Sequence, residues 1–392
     1  MADLCARMDE AGIEAALLLH HRDVFYYAGT VRPAALLVYL HAGRSRTGPG
    51  AVLFVRRGLE LARQEATVDH VEPMRGFTSV AQVVDELGLT GRVLGTELDL
   101  VPAQLYHRLV EVFPDWTLSD VSPLVLDQRM VKDEDEIAAT RRASAVADAG
   151  HGAAERAVAP GESELALAAE VEAAMRRAGH EGFQPLRYPE ARGGGVLLVS
   201  GEYLTVRGGH GLVVTGAGLS PAMPYGPSRR ILQDGDLVVV DIGSTYDGYT
   251  ADESRTFVVG RATEAQRALF GVARATEDAV FEALRPGVPI ADLYQAAEAV
   301  VEQGAPPHFA PGSLALPGFI GHGIGLELDE PPVIWPRDDV RLRAGMVLAI
   351  EIEVNALEQG TMVKLEDTVV VRPDGCELLT LTPRELIEEG IS

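Results

Sequence analysis

The chain has 392 residues, more than one typical core accommodates, so two domains are expected. Its 47% hydrophobic and 23% charged residues have the balance of a globular protein rather than a disordered one. The formal charge of -24 argues against a nucleic-acid partner and against binding to an anionic membrane surface, because phosphate groups would be repelled.

The chain opens with "MADLCARMDEAG", which is charged and lacks the apolar stretch of a signal peptide. No apolar run approaches the length of a membrane span. Cys5 and Cys376 stand at opposite ends, giving neither a disulfide framework nor a zinc-type spacing. A reducing, cytoplasmic setting is the expectation.

Residues 1–126 alternate strand-like and helix-like segments. "AALLL", "ALLVYL" and "AVLFV" read as strands and "VAQVVDEL" as a helix, which together predict a small α/β domain. His20, His21, His41, His70 and His107 fall here without a catalytic spacing, and are read as surface or packing histidines. The polar stretch "LVLDQRMVKDEDE" marks the boundary, and residues 127–392 form the second domain.

That second domain repeats itself. "AVAPGESELALAAEVEAAMRRAG" from Ala157 and "ALRPGVPIADLYQAAEAVVEQG" from Ala283 each end one helix, break at Pro-Gly, and begin another. Leu167 and Leu293, like Glu172 and Glu298, keep the same offset. Behind each helix pair lie two β-rich runs, "DLVVVDIG" with "SRTFVVG" and "MVLAIEIEV" with "DTVVV". The matching order predicts an α+β domain of two related helix-helix-hairpin halves, with a site at their junction.

Asp241 and Asp252 flank a turn signal at Asp247-Gly248. A turn centred on Tyr246-Asp247 sets the aspartates directly opposite each other. One centred on Asp247-Gly248 pairs Asp241 with Ser254 and makes Asp252 a diagonal neighbour. Both registers leave the two acids on one face, because side chains alternate along a strand. In the second hairpin Glu351 and Glu366 are symmetric about Glu358-Gln359, and the same register pairs Glu353 with Lys364. Four acids on one sheet face would resist ionising without a cation, although each alone could equally be an ion-pair partner of Arg255 or Lys364. His322, in "GFIGHGIGLELDEPP", adds an imidazole among glycines that permit close backbone approach. One imidazole with four carboxylates suits manganese or iron(II), and also cobalt or zinc, better than a structural thiolate site does.

"GDLVVVDIGSTYDGYTADESRTFVVG", "GHGIGLELDEPP", "AGMVLAIE" and "VKLEDTVVV" resemble, in order and spacing, the creatinase/aminopeptidase superfamily with its "pita-bread" fold. Within it the resemblance is to aminopeptidase P and Xaa-Pro dipeptidase, and residues 1–126 resemble the creatinase N-terminal domain. It implies that Asp241, Asp252, His322, Glu351 and Glu366 hold two divalent metal ions, and that the protein is a homodimer. It also implies amide-bond hydrolysis by a hydroxide bridging ions roughly 3.5–4 Å apart. Asp252 and Glu366 would bridge the ions, Asp241 would chelate one and His322 the other. Glu351 would accept the proton, and Lys364 and Tyr225 would hold the oxyanion.

Three positions depart from the family pattern. Pro224-Tyr225 stands where peptidases carry a Pro-His motif, and Asp329 stands where a second histidine follows the first. Lys364 replaces an arginine. Asp329 is therefore a candidate for binding a substrate amine, and His210 and His308, in Gly/Pro-rich loops, are weaker candidates for the site. The substrate expected is a peptide or small amide. The alternative is a non-peptidase small-molecule amidohydrolase or lyase on the same metal scaffold, which the absent histidines support. A catalytically silent interaction module is disfavoured by the intact acids.

Overall fold

The computed structural model describes residues 1–40, 49–89, 92–188, 195–208, 213–304, 306–337 and 339–388; His41 and His210 lie outside them. The chain divides into two compact units, Met1–Arg129 and Met130–Ser392.

In the first unit β1 (Ala15–Leu18), β2 (Ala34–Tyr39), β3 (Gly50–Val55), β4 (Val71–Pro73), β5 (Val93–Thr96) and β6 (Thr117–Asp120) form one sheet in the order β4-β3-β2-β1-β5-β6. Helices α1 (Ala2–Glu10), α2 (His21–Ala28), α3 (Leu59–Glu65), α4 (Phe77–Glu86), α5 (Ala103–Val112) and α6 (Ser122–Met130) accompany it. Both faces are covered, which is why the strands read as unbroken apolar runs. Ala16, Leu18, Leu36 and Leu53 pack on one side, and Leu17, Leu37, Val52 and Phe54 on the other. His21, His70 and His107 are exposed, and His20 lies against His21 with ring centroids 4.7 Å apart. Just after β5, the buried Glu97 accepts the backbone N–H groups of Leu19 and His20, each at 3.0 Å. Burial, with Asp23 nearby, pushes its carboxyl up to about 7.

The second unit begins with α7 (Glu134–Ala157) and α8 (Glu164–Arg177). Asp133 and Glu136 close a capping box on α7, and Ser163 caps α8 through the N–H of Ala166. Strands β7 (Leu197–Ser200), β8 (Leu237–Tyr246) and β9 (Tyr249–Val258) follow, then α9 (Glu264–Ala283) and α10 (Ile290–Gln303). The chain continues through β10 (Leu314–Ala315), β11 (Gly321–Gly323), β12 (Glu330–Val333), β13 (Val347–Ala356) and β14 (Thr361–Arg372), ending with β15 (Gly375–Leu378) and β16 (Ile387–Glu388). The main path of its sheet is β12-β11-β13-β14-β9-β8-β7.

The repeat seen in the sequence is a repeat of structure. Gly161 and Gly287, after the two prolines, both adopt φ of 90°, a conformation that costs glycine little. Gly161 N–H donates to Leu232 O and Gly287 N–H to Leu342 O. Isolated bridges Ser163–Ile231 and Pro289–Arg341 repeat the same offsets. Each half buries alternate strand residues under its own helices: Val238, Val240 and Ile242 in the first, Ile350, Ile352 and Val354 in the second.

Hairpin β8–β9 turns at Asp247-Gly248, with φ of 50° and 79°, as a two-residue turn matched to strand twist requires. That choice selects the register pairing Asp241 with Ser254 and Gly243 with Asp252. Hairpin β13–β14 pairs Glu351 with Glu366 and Glu353 with Lys364, the register its symmetry predicts.

The halves meet between β9 and β14, at the pair Ser254–Glu366. On either side of it a threonine hydroxyl does the joining. Thr368 Oγ1 accepts the Asp252 N–H at 2.9 Å and donates to Asp252 O at 2.8 Å. Thr256 Oγ1 does the same for Lys364, accepting its N–H at 3.0 Å and donating to its O at 2.8 Å. Replacing either hydroxyl by a methyl strands a buried N–H and C=O. Thr368→Val and Thr256→Val should each destabilise the protein by about 2–4 kcal/mol in urea unfolding, and a loss below about 0.5 kcal/mol would show that the seam does not depend on them.

Candidate metal centre

Period-two alternation places three rows of residues on the sheet face opposite the helices. The central row runs Asp241, Ser254, Glu366, Glu351 across four strands. On one side lie Gly243, Asp252, Thr368, Ala349 and His322, the last brought in by the pairing of β11 with β13. On the other lie Val239, Thr256, Lys364 and Glu353. Gly243 has no space for a side chain, because Gln184 and Leu328 close over it.

The five candidate ligands come together. Single donor atoms of Asp252, His322 and Glu366 lie within 4.8 Å of one another, as do those of Asp241, Glu351 and Glu366. Glu366 is common to both groups, whereas Asp252 belongs only to the group that contains His322. His322 Nε2 lies 3.9 Å from Asp252 Oδ2. Its Nδ1 lies 3.1 Å from Gly323 O and 3.3 Å from Asp329 Oδ1. With Nδ1 as the donor to these oxygens, Nε2 keeps its lone pair toward the acids.

The electrostatics call for a cation. Burial, reinforced by Glu366 and Asp241, pushes Asp252 well above the ordinary carboxylate range. Burial likewise raises Glu351, and pushes Glu366 up to about 8. Burial opposes charging Lys364 and His322, yet the surrounding carboxylates outweigh it and hold both above their ordinary values. Lys364 Nζ lies 2.6 Å from Asp241 Oδ2 and 3.3 Å from Glu366 Oε2, and also pairs with Glu351. Ser254 Oγ donates to Glu366 Oε2 at 2.8 Å. Among the described residues, the buried Glu366 Oε1 has no hydrogen-bond partner. One ammonium cannot neutralise four acids, and an oxygen-rich donor set with an orphaned buried oxygen fits divalent metal.

The family model for metallopeptidase family M24 matches residues 138–373, a span containing every one of these side chains. The chain belongs to metallopeptidase family M24. Residues 1–131 match the creatinase/prolidase N-terminal domain. An Xaa-Pro dipeptidase of Pyrococcus horikoshii is 27% identical over 384 residues, covering 97% of this chain and 96% of the relative. The crystal structure of the prolidase from Pyrococcus horikoshii superposes with a TM-score of 0.80 at 26% identity, covering 98% of this chain and 99% of that one. An Xaa-Pro dipeptidase from Bacillus anthracis gives a TM-score of 0.82 at 25% identity over 99% and 98% of the two chains.

The remaining candidates in this M24 chain divide. Asp329, whose side chain is 61% exposed, touches the centre through His322. Among the described residues Tyr225 is half-buried and makes no hydrogen bond with the carboxylates. His308 lies 3.9 Å from Glu264 at the start of α9, outside the acid groups. Arg255 faces the helices instead. There it pairs with Asp367 and donates to Ser254 O and Glu366 O, pinning the seam from behind. Ser254 and the two threonines contribute to the centre without a motif of their own; their signal was the same-face spacing beside the ligands.

Asp252 offers a direct test of charge crowding. Its carboxyl is raised in the folded protein, so ionisation opposes folding and metal-free stability should fall as pH rises above the unfolded carboxylate value. Asp252→Asn removes that contribution. In chelator at pH 8 the variant should be more stable than the parent by roughly 1–3 kcal/mol and less dependent on pH, as read from melting curves. A variant that is less stable, or equally pH-dependent, would contradict the crowding.

Proposed function

We propose that the protein is a metal-dependent peptidase that cleaves Xaa-Pro bonds, using two divalent ions held by Asp241, Asp252, His322, Glu351 and Glu366. The observation that carries this is the shared-carboxylate arrangement, two ligand groups meeting at Glu366, in a chain of metallopeptidase family M24. Relatives named Xaa-Pro dipeptidase, aligned over nearly the whole chain, support the substrate class. Manganese is the ion best matched to one imidazole and four carboxylates. A homodimer and a cytoplasmic setting complete the reading, on the family resemblance and the two distant cysteines.

When bound, such ions polarise a carbonyl and lower the pKa of water. The protein's own side chains do the rest. Glu351, buried beside Lys364, is placed to take a proton and return it to the leaving nitrogen. Asp329 and Gly323 O orient His322 through Nδ1. The exposed remainder of the Asp329 carboxylate offers an acceptor for a substrate ammonium group, and Tyr225 a donor for a developing oxyanion.

Pro224-Tyr225 and Asp329, standing in place of the imidazoles of the related peptidases, favour one second reading, a small-molecule amidohydrolase or lyase using the same ligands. A manganese-supplemented screen against Xaa-Pro dipeptides and longer Xaa-Pro peptides separates the two. Turnover is expected, with kcat falling by about 10²–10⁴-fold in Glu351→Ala. Metal uptake without any Xaa-Pro cleavage would favour the second reading, and full activity in Glu351→Ala would sink the assignment.

A further inference from the structure

The seam between β9 and β14 is a local two-fold axis. Rotation about the pair Ser254–Glu366 exchanges Thr256 with Thr368, Val239 with Ala349, and Asp252 with Lys364. Where one half projects an acid beside the central row, the other projects an ammonium. We propose that the Lys364 ammonium is a tethered cation of the carboxylate row that competes with metal for Asp241, Glu351 and Glu366. The inference rests on the metal-centre reading above and concerns what that reading leaves open: how the acids stay together before metal arrives.

Three observations carry it. The ammonium is fully buried and within ion-pair distance of all three acids of that group, whereas its partner on Glu366 is Oε2, leaving Oε1 without a partner among the described residues. An ion at Asp252, His322 and Glu366 can therefore use Oε1, but an ion at Asp241, Glu351 and Glu366 would share three carboxylates on each of which Lys364 already holds one oxygen. Next, a divalent ion and an ammonium sharing these oxygens would repel strongly at low dielectric, so the ammonium must withdraw. Finally, it has somewhere to go. Glu353 lies directly across from Lys364 in the hairpin, fully buried, and its carboxylate accepts Val214 N–H at 2.9 Å and Asn355 Nδ2 at 2.8 Å. It also pairs at 3.1 Å with the half-exposed Arg207, whose guanidinium can turn out to solvent as the ammonium arrives. A lysine's flexible stem permits that swing, which a planar, fork-shaped guanidinium would resist.

The chain's composition makes the test direct, because Lys132 and Lys364 are its two lysines. Lys132 is buried against Glu330 at 3.1 Å and serves as an internal control. In protein labelled with ¹⁵N-lysine and titrated with zinc, the Lys364 ammonium resonance should move in step with the weaker of two binding events while that of Lys132 stays fixed. Calorimetry on K364M should show that weaker event tightened by at least about tenfold, and melting curves in chelator a less stable metal-free protein. Two ions binding with the Lys364 resonance unmoved, or K364M leaving the weaker affinity unchanged, would overturn the competition. Should K364M fail to fold without metal, the wild-type resonance still decides. No metal uptake at all would instead overturn the metal-centre reading, and this inference with it.

Discussion

Four carboxylates crowded on one face of a sheet, three of them buried and Asp241 partly so, repel one another, and the structure of the second unit is organised around meeting that repulsion. An isolated buried carboxylate costs several kcal/mol, so the cluster persists only with compensating positive charge. Lys364 supplies one unit of it and the raised carboxyls of Asp252, Glu351 and Glu366 show that one is too little. The same imbalance that makes the metal-free centre costly is the physical ground for proposing it as a divalent-metal site. The side chains that hold the acids in place, Ser254 on Glu366 and the threonines on the backbone, are neutral hydrogen-bonding groups that add no charge of their own.

Duplication explains how such a centre can be built from ordinary parts. Each half is a helix pair with a hairpin whose inner residues pack under the helices. Neither half alone gathers either ligand group, because Glu366 belongs to one half and Asp241 and Asp252 to the other. Joining β9 to β14 brings them together, so the seam positions the chemistry as well as holding the domain. Arg255 fastens it on the helix side and the two threonines on the ligand side.

Much of this was legible in the sequence, for a local reason. Hairpin registers follow from turn position, so the pairs Glu351–Glu366 and Glu353–Lys364 could be counted outward from a loop, and the first hairpin was narrowed to two registers. Which register held depended on Asp247 and Gly248 adopting positive φ, which the Asp-Gly signal allowed but did not compel. The pairing of β9 with β14 joins segments more than a hundred residues apart, and no local pattern announces it. The direction of a side chain was also out of reach. Arg255 and Lys364 looked equivalent as partners for the acids, yet alternation sends one to the helix face and the other into the ligand row. Tyr225 sits in a long loop, where spacing gives no geometry.

The central claim is that two cation positions share Glu366. Anomalous diffraction from manganese-soaked crystals tests it most directly. Two peaks are predicted, one against Asp252, His322 and Glu366 and the other against Asp241, Glu351 and Glu366. Peaks confined to other acids, or crystals saturated with manganese that show none against Glu366, would contradict it.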